Sequence, residues 1–209
     1  MSRSPKPPSP KPPPPAIAIR PVHKPDLNAL ADLLASSFHH SEGWLGWLYP
    51  LLRAGIYEDL SHRLRHPPQH YACLAAFRQD LDSNSNRNRN PNRNAKNTTM
   101  VGTVEIATKS QFPFGWGDPT YLYISNLAIK QSHRRQGIAT ALLQECDRLA
   151  RGWGFPVIYL HVLEDNQAAR HLYRAAGYQL DTVIGGWLGI FLGRSRRLLL
   201  RKTVKHPHA

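Results

Sequence analysis

Apolar positions along the chain recur at two spacings, and each spacing marks its own kind of segment. A β-branched start at Ile17 predicts a first strand, and "PDLNALADLLASSF" (25–38) predicts a first helix. "WLGWLYPLLRAGIYEDLSHRLR" (44–65) predicts a second, longer helix, interrupted or offset around Pro50, whose ring takes the place of a backbone N–H. "HYACLAAF" (70–77) and "VGTVEIAT" (101–108) read as two strands of a meander, and "YLYISNLAI" (121–129), rich in β-branched and aromatic residues, as another strand. Ile138, Leu142, Cys146 and Leu149 then recur at helical spacing. "FPVIYLHV" (155–162) predicts a strand, followed by the helix "QAARHLYRAAG" with an N-cap at Asp165 or Asn166 and a stop at Gly177. "RRLLLRKTV" (196–204) is a last strand, preceded by the loop "GGWLGIFLGRS". Two strands joined through a helix imply a right-handed crossover and a parallel pair, with ligand sites near the strand ends and the helix N-terminus. The fold class is α/β, with a mixed sheet.

Two stretches have nothing to bury. Residues 1–16 open with "MSRSPKPPSPKPPPP", which predicts an extended, disordered tail. Residues 79–99 hold an Asn/Arg-rich tract that predicts a disordered loop within a single domain spanning 17–205. At 209 residues and 41% hydrophobic content, one sizeable core is expected. Cys73 and Cys146 fall in a strand and on a helix core face, as reduced, packed thiols would. No apolar run is long enough to span a bilayer, and the N-terminus lacks a signal-type hydrophobic core.

The chemistry begins at "SHRRQGIATALL" (132–143), between a predicted strand and a predicted helix. The first turn of a helix has backbone N–H groups without intrahelical partners, and with the macrodipole it attracts anions. Gly137 and Ala139 leave that backbone uncovered, and Arg134 and Arg135 add permanent charge, so the segment suits a phosphate. The bland alternative is a capped helix with two solvated arginines. A Walker loop is excluded by the missing lysine and hydroxyl pair, and a dinucleotide fingerprint by the missing third glycine and distal acid.

The run "NLAIKQSHRRQGIATALL" resembles the acetyl-coenzyme A signature of the GCN5-related N-acetyltransferase (GNAT) family, with Arg134, Gly137 and Ala139 at its three fixed positions. "IYLHVLEDNQAARHLYRAAGY" is similar to the second coenzyme-side element of that family, in which an asparagine and a tyrosine seven residues on face the cofactor, here Asn166 and Tyr173. The resemblance implies a central mixed sheet of six to seven strands flanked by helices, with a parallel, splayed strand pair at the acetyl-CoA site. It implies acetyl-CoA as cosubstrate, bound by Leu127, Ala128, Ile129, Arg134, Arg135, Gln136, Gly137, Ile138, Ala139, Thr140, Asn166 and Tyr173, and no metal.

Acetylation of an amine also needs a group that takes its proton, because a protonated amine has no lone pair with which to attack. His161, at the end of "VIYLHV", is the candidate, since an imidazole titrates near neutrality. The alternative is a histidine satisfied within the sheet. Certain protein N-terminal acetyltransferases of the family carry a similar "LHV" strand with the histidine as base, and a tyrosine where Tyr123 stands. The resemblance therefore implies that Tyr123 and His161 share an ordered water and deprotonate the acceptor, that a backbone N–H near Leu127 faces the oxyanion, and that Tyr173 gives the leaving thiolate a proton or a hydrogen bond. A packed strand aromatic is the alternative for Tyr123. Attack is expected to be direct, with neither cysteine at a matched position.

Other chemistries fit less well. His62 and His66 stand one helical turn apart, half a zinc site with nothing to complete it, and His39, His40 and His70 form only a loose group with them. The formal net charge of +13 comes partly from Arg194, Arg196, Arg197, Arg201, Lys202 and Lys205. No base-stacking pattern is interleaved with it, so the charge predicts attraction to polyanions, ribosomes included, without specific nucleic-acid recognition. In the family the acceptor enters between the loop joining the first two helices and the hairpin before the last strand, here "HHSEGWLGW" and "GGWLGIFLGRS". Both are apolar and acid-poor, which suits a peptide end better than a polyamine or an aminoglycoside. The helix "YPLLRAGIYEDLSHRLR" resembles that of plastid and cyanobacterial-type acetyltransferases acting on protein N-termini and, more loosely, on lysines. The expected function is acetylation of protein N-termini with side activity on lysine. A small-molecule acetyltransferase and a non-catalytic coenzyme A or polyanion-binding module are the alternatives. The stretch before Ile17 is shorter than a typical organelle transit peptide, so the expected compartment is a bacterial cytoplasm, of cyanobacterial type, rather than a plastid.

Overall fold

In a computed structural model, residues 17–38, 49–79, 98–110, 120–184 and 195–204 are described. The proline-rich tail, most of the Asn/Arg tract, "HHSEGWLGW" and all but the last residue of "GGWLGIFLGRS" lie outside them. The elements run β1 Ile17–Pro21, α1 Leu27–Phe38, α2 Tyr49–Arg65, β2 Tyr71–Gln79, β3 Thr98–Ser110, β4 Thr120–Ile129, α3 Ile138–Gly152, β5 Val157–Leu163, α4 Gln167–Ala175, β6 Gln179–Ile184 and β7 Arg197–Thr203.

The strands form one seven-stranded sheet in the order β1-β2-β3-β4-β5-β7-β6. All neighbours are antiparallel except β4 and β5, which pair in parallel only over Leu122–Ile124 and Ile158–Leu160. The predicted crossover through α3 is therefore present, and the two strands stay paired for only three residues.

Alternation along the strands sends side chains to two different layers. On one face Leu74, Val104, Ile106, Leu122, Ile124, Ile158, Leu160 and Leu200 pack with Ile138, Leu142, Leu143, Cys146 and Ala150 of α3 and Tyr173 of α4. On the other, Leu27, Leu30 and Leu34 of α1 and Leu60 of α2 cover Cys73, Ala75, Phe77, Met100 and Ala128. Leu30, Ile106, Leu142 and Ile158 are fully buried, and each such side chain contributes about 1.5–3 kcal/mol by leaving water. Gly102 fixes how closely α3 approaches the sheet: a Cβ there would meet Ile129 Cδ1 at 2.6 Å, Ile138 Cγ2 at 3.2 Å and Leu142 Cδ1 at 3.3 Å.

Pro50 is the second residue of α2, where a missing N–H breaks no helical bond, and residues 44–48 of the longer helix expected there lie outside the described residues. The hydrophobic pattern did not predict β6, because "QLDTVI" is an edge strand exposed at all its positions and no face of it carries a core signal.

Candidate active site

The site grows from the point where β4 and β5 part. His161 is the first β5 residue beyond the paired segment, and Tyr123 lies on the same sheet face, opposite Tyr159. Their side chains meet directly, Tyr123 Oη to His161 Nδ1, at 2.7 Å. The expected shared water is thus not needed to couple them. Tyr121 and Tyr159 pack edge to face beside them, with centroids 5.3 Å apart.

The charges around the pair are cationic. Lys109 Nζ sits 3.7 Å from the centroid of the Tyr123 ring. By register Arg197 lies on the same face as His161, two residues along β7 from the Leu199 that pairs with it. Burial first, then Arg197 and Lys109, hold the His161 imidazole below its ordinary value, so it is neutral at pH 7. Burial raises the Tyr123 hydroxyl, which keeps its proton. Tyr173, buried on α4 with its ring against Tyr178, is pushed up to about 12, by burial first and then by Tyr123. It too stays a proton donor.

The segment from β4 to α3 is a backbone cradle whose free N–H groups suit an anion. After a 3₁₀ turn over Gln131–His133, Arg135 at φ 63° and Gly137 at φ 78° both take left-handed conformations. Gly137 is the N-cap of α3 and offers no side-chain acceptor. The first helical bond runs from the Ala141 N–H to the Gly137 carbonyl at 3.0 Å, so the N–H groups of Ile138, Ala139 and Thr140 precede the ladder. A Cβ on Gly137 would meet nothing within 4 Å, which leaves room for a ligand. Arg134 is exposed but anchored, its Nε donating to the Ile129 carbonyl at 3.2 Å, and the Gln136 side chain reaches the Ser132 carbonyl at 3.5 Å. Across the gap, Asn166 caps α4: its Oδ1 accepts from the Ala169 N–H at 3.1 Å, so its amide group is the part that can face a cofactor. Among the described residues no three His, Cys, Asp or Glu side chains are placed to hold a metal.

One part of the site was not foreseen. Glu105, almost completely buried in the middle of β3, accepts from Arg63 Nη1 of α2 at 3.0 Å, from Asn126 Nδ2 at 2.6 Å and from Ser125 Oγ at 3.4 Å. The only sequence signal was a lone acid inside the apolar run "VGTVEIAT". The two cysteines are inert: burial first, and then Glu105, push Cys73 up to about 12, and burial raises Cys146 as well.

The family profile for acetyltransferase (GNAT) domains matches residues 53–178, from α2 through the end of α4, and so includes the cradle, Tyr123, His161 and Tyr173. The chain belongs to the GNAT family. It is 32% identical over 163 residues to GCN5-related N-acetyltransferase 10, chloroplastic, of Arabidopsis thaliana, which covers 75% of this chain and 59% of that relative. The chain thus spans about three fifths of that relative's length. The fold is similar to the structure of Arabidopsis thaliana NAA60 in complex with a bisubstrate analogue, with a TM-score of 0.62 and 19% identity over 90% of this chain and 98% of the other. It is also similar to the ribosomal-protein-S18-alanine N-acetyltransferase of Escherichia coli, with a TM-score of 0.57 and 16% identity over 92% of this chain and 97% of the other. At such identities the structural likeness concerns the GNAT fold.

Proposed function

We propose that this GNAT domain transfers acetyl from acetyl-CoA directly to the α-amino group of protein N-termini and, secondarily, to lysine side chains. The observation that carries this is the Tyr123–His161 contact at 2.7 Å beside the opening between β4 and β5. When bound, acetyl-CoA supplies an activated thioester carbonyl, and the chain supplies the rest. The uncapped first turn of α3, with Arg134 and Arg135, holds phosphate, and Asn166 contacts the coenzyme from the β5 side. Leu127 N–H donates to the oxygen on which charge develops. Tyr173 keeps the proton that the departing sulfur needs.

The proton of the amine goes to the Tyr123–His161 pair. In one tautomer His161 Nδ1–H is held on Tyr123 and Nε2 accepts the proton; in the other Tyr123 accepts it while passing its own to Nδ1. Either way the pair gains one proton. Lys109 and Arg197 next to the pair disfavour a polycationic acceptor, which supports a peptide end over a polyamine. The relative named chloroplastic adds the plastid to the compartments in view, alongside the bacterial cytoplasm. No helix among the described residues is long and apolar enough to cross a membrane.

Mass spectrometry of a proteome-derived peptide mixture incubated with the protein and acetyl-CoA tests this. Acetylated N-termini should dominate over acetyl-lysine, with spermidine turned over slowly. Preferential turnover of spermidine would favour the small-molecule alternative, and no turnover of any amine would favour a coenzyme-binding module.

A further inference from the structure

The strand that lines the transfer site is irregular at one place. Between Thr103–Ala128 and Glu105–Ser125 the β3–β4 register shifts, and the extra residue on β4 is accommodated at Asn126 and Leu127. Strict alternation would put Leu127 on the sheet face opposite Ile124, yet both pack into the core under α3. Asn126 sits at φ 53°, in the left-handed region that a side chain resists. Asparagine tolerates that region better than most residues when its side chain is hydrogen-bonded, and here Nδ2 donates to Glu105 Oε2 at 2.6 Å.

We infer that Glu105 is a positioning residue for acetyl transfer, its carboxylate tethering the Asn126 amide so that the β4 bulge aims the Leu127 N–H into the gap between β4 and β5. The inference rests on the proposed role of Leu127 as the donor to the acyl oxygen. Glu105 cannot easily serve as the proton acceptor itself, because it is only 1% exposed and both its oxygens are engaged, one by Arg63 and the other by Asn126 and Ser125. Arg63 comes from α2, so the same carboxylate also ties the helix on the acceptor side to the bulge. A buried carboxylate with a guanidinium partner and two further donors is a rigid anchor, and a bulge held this way does not have to reorganise as charge develops on the acyl oxygen.

The test reads the hydrogen bond itself. Infrared difference spectra of the full chain with carbonyl-13C acetyl-CoA report hydrogen bonding to the thioester oxygen and need no acceptor. The wild type should show the carbonyl band lowered relative to free acetyl-CoA. Glu105→Gln should return it most of the way and lower kcat about tenfold or more, with the acid limb of the pH profile unmoved. Asn126→Gly in the Glu105→Gln background should restore both band and rate, because glycine takes a positive φ without a tether. An unshifted band in the wild type would remove the Leu127 donor. A lowered band that survives Glu105→Gln would overturn the tether alone. Loss of the acid limb in Glu105→Gln, or no rescue by glycine in a folded protein, would also overturn it. Should Glu105→Gln fail to fold, Asn126→Gly and Asn126→Ala in the otherwise native chain decide: glycine should keep the wild-type band and rate, and alanine should lose both. Equal behaviour of the two would contradict the proposal.

Discussion

The two faces of the sheet are built on different principles. Under α3 and α4 the layer is apolar, and most of its proposed ligand features come from one continuous stretch, β4 to the first turn of α3, with Asn166 and Tyr173 added from α4. On the α1/α2 face the important contacts join residues far apart in the chain: Tyr123 with His161 across 38 positions, and Arg63 with Glu105 across 42. The difference teaches that the proposed coenzyme side is mainly a local backbone device, while the proposed acceptor side exists only once the sheet has assembled. Damage to the first should therefore show in coenzyme binding, and damage to the second in turnover.

The sharpest contrast should come from His161→Ala, which is expected to lower kcat by about tenfold to a thousandfold while acetyl-CoA affinity stays close to wild type. Gly137→Val should do the reverse. Its backbone sits at φ 78° and its surroundings are open, so valine is both strained and in the path of a phosphate; calorimetry should show acetyl-CoA affinity reduced by about tenfold or more. Unchanged affinity in a folded Gly137→Val protein would detach the cradle from coenzyme binding. Gly102→Ala probes the packing beneath. Its new methyl would press on the Ile129 and Ile138 side chains, and a loss of about 1–3 kcal/mol in denaturant unfolding is expected.

A smaller effect concerns pH. Lys109 is one of the causes that hold His161 below its ordinary value, after burial and Arg197. With His161 as the proposed base, which works when neutral, activity should persist to somewhat below the usual histidine range and fall as His161 protonates. Lys109→Met keeps a side chain over Tyr123 and removes the charge, so the acid limb of kcat/KM should move up in pH. A limb that stays in place or moves down would mean that Lys109 does not act on the base.

The same contrast explains what the sequence made legible. β4, α3, β5 and α4 announce themselves through apolar spacing, the glycine-bearing loop before α3 and a cap at Asp165 or Asn166, all of them local signals. Tyr123 and His161 stand out through their place in strands resembling those of known acetyltransferases, but their direct contact is not legible in the sequence, because it depends on a register set by only three paired residues. In the sequence Glu105 is only one acid in an apolar strand, since its partners Arg63 and Asn126 come from α2 and β4. The bulge at Asn126 left a trace only in retrospect: Ile124 and Leu127 share a face although they are three residues apart. β6 escaped for the opposite reason, having no buried face to impose alternation.

The central claim is that Tyr123 and His161 act as one proton acceptor, and a double-mutant cycle in kcat tests it most directly. Initial rates of Tyr123→Phe, His161→Ala and the double variant would be measured on a peptide with a free N-terminus, from neutral pH up to where the amine is itself deprotonated. The account predicts that each single change is severe, that the double variant is little worse than the worse single one, and that raising the pH partly rescues all three. Full activity of both single variants at neutral pH, or effects that simply multiply in the double variant, would contradict it.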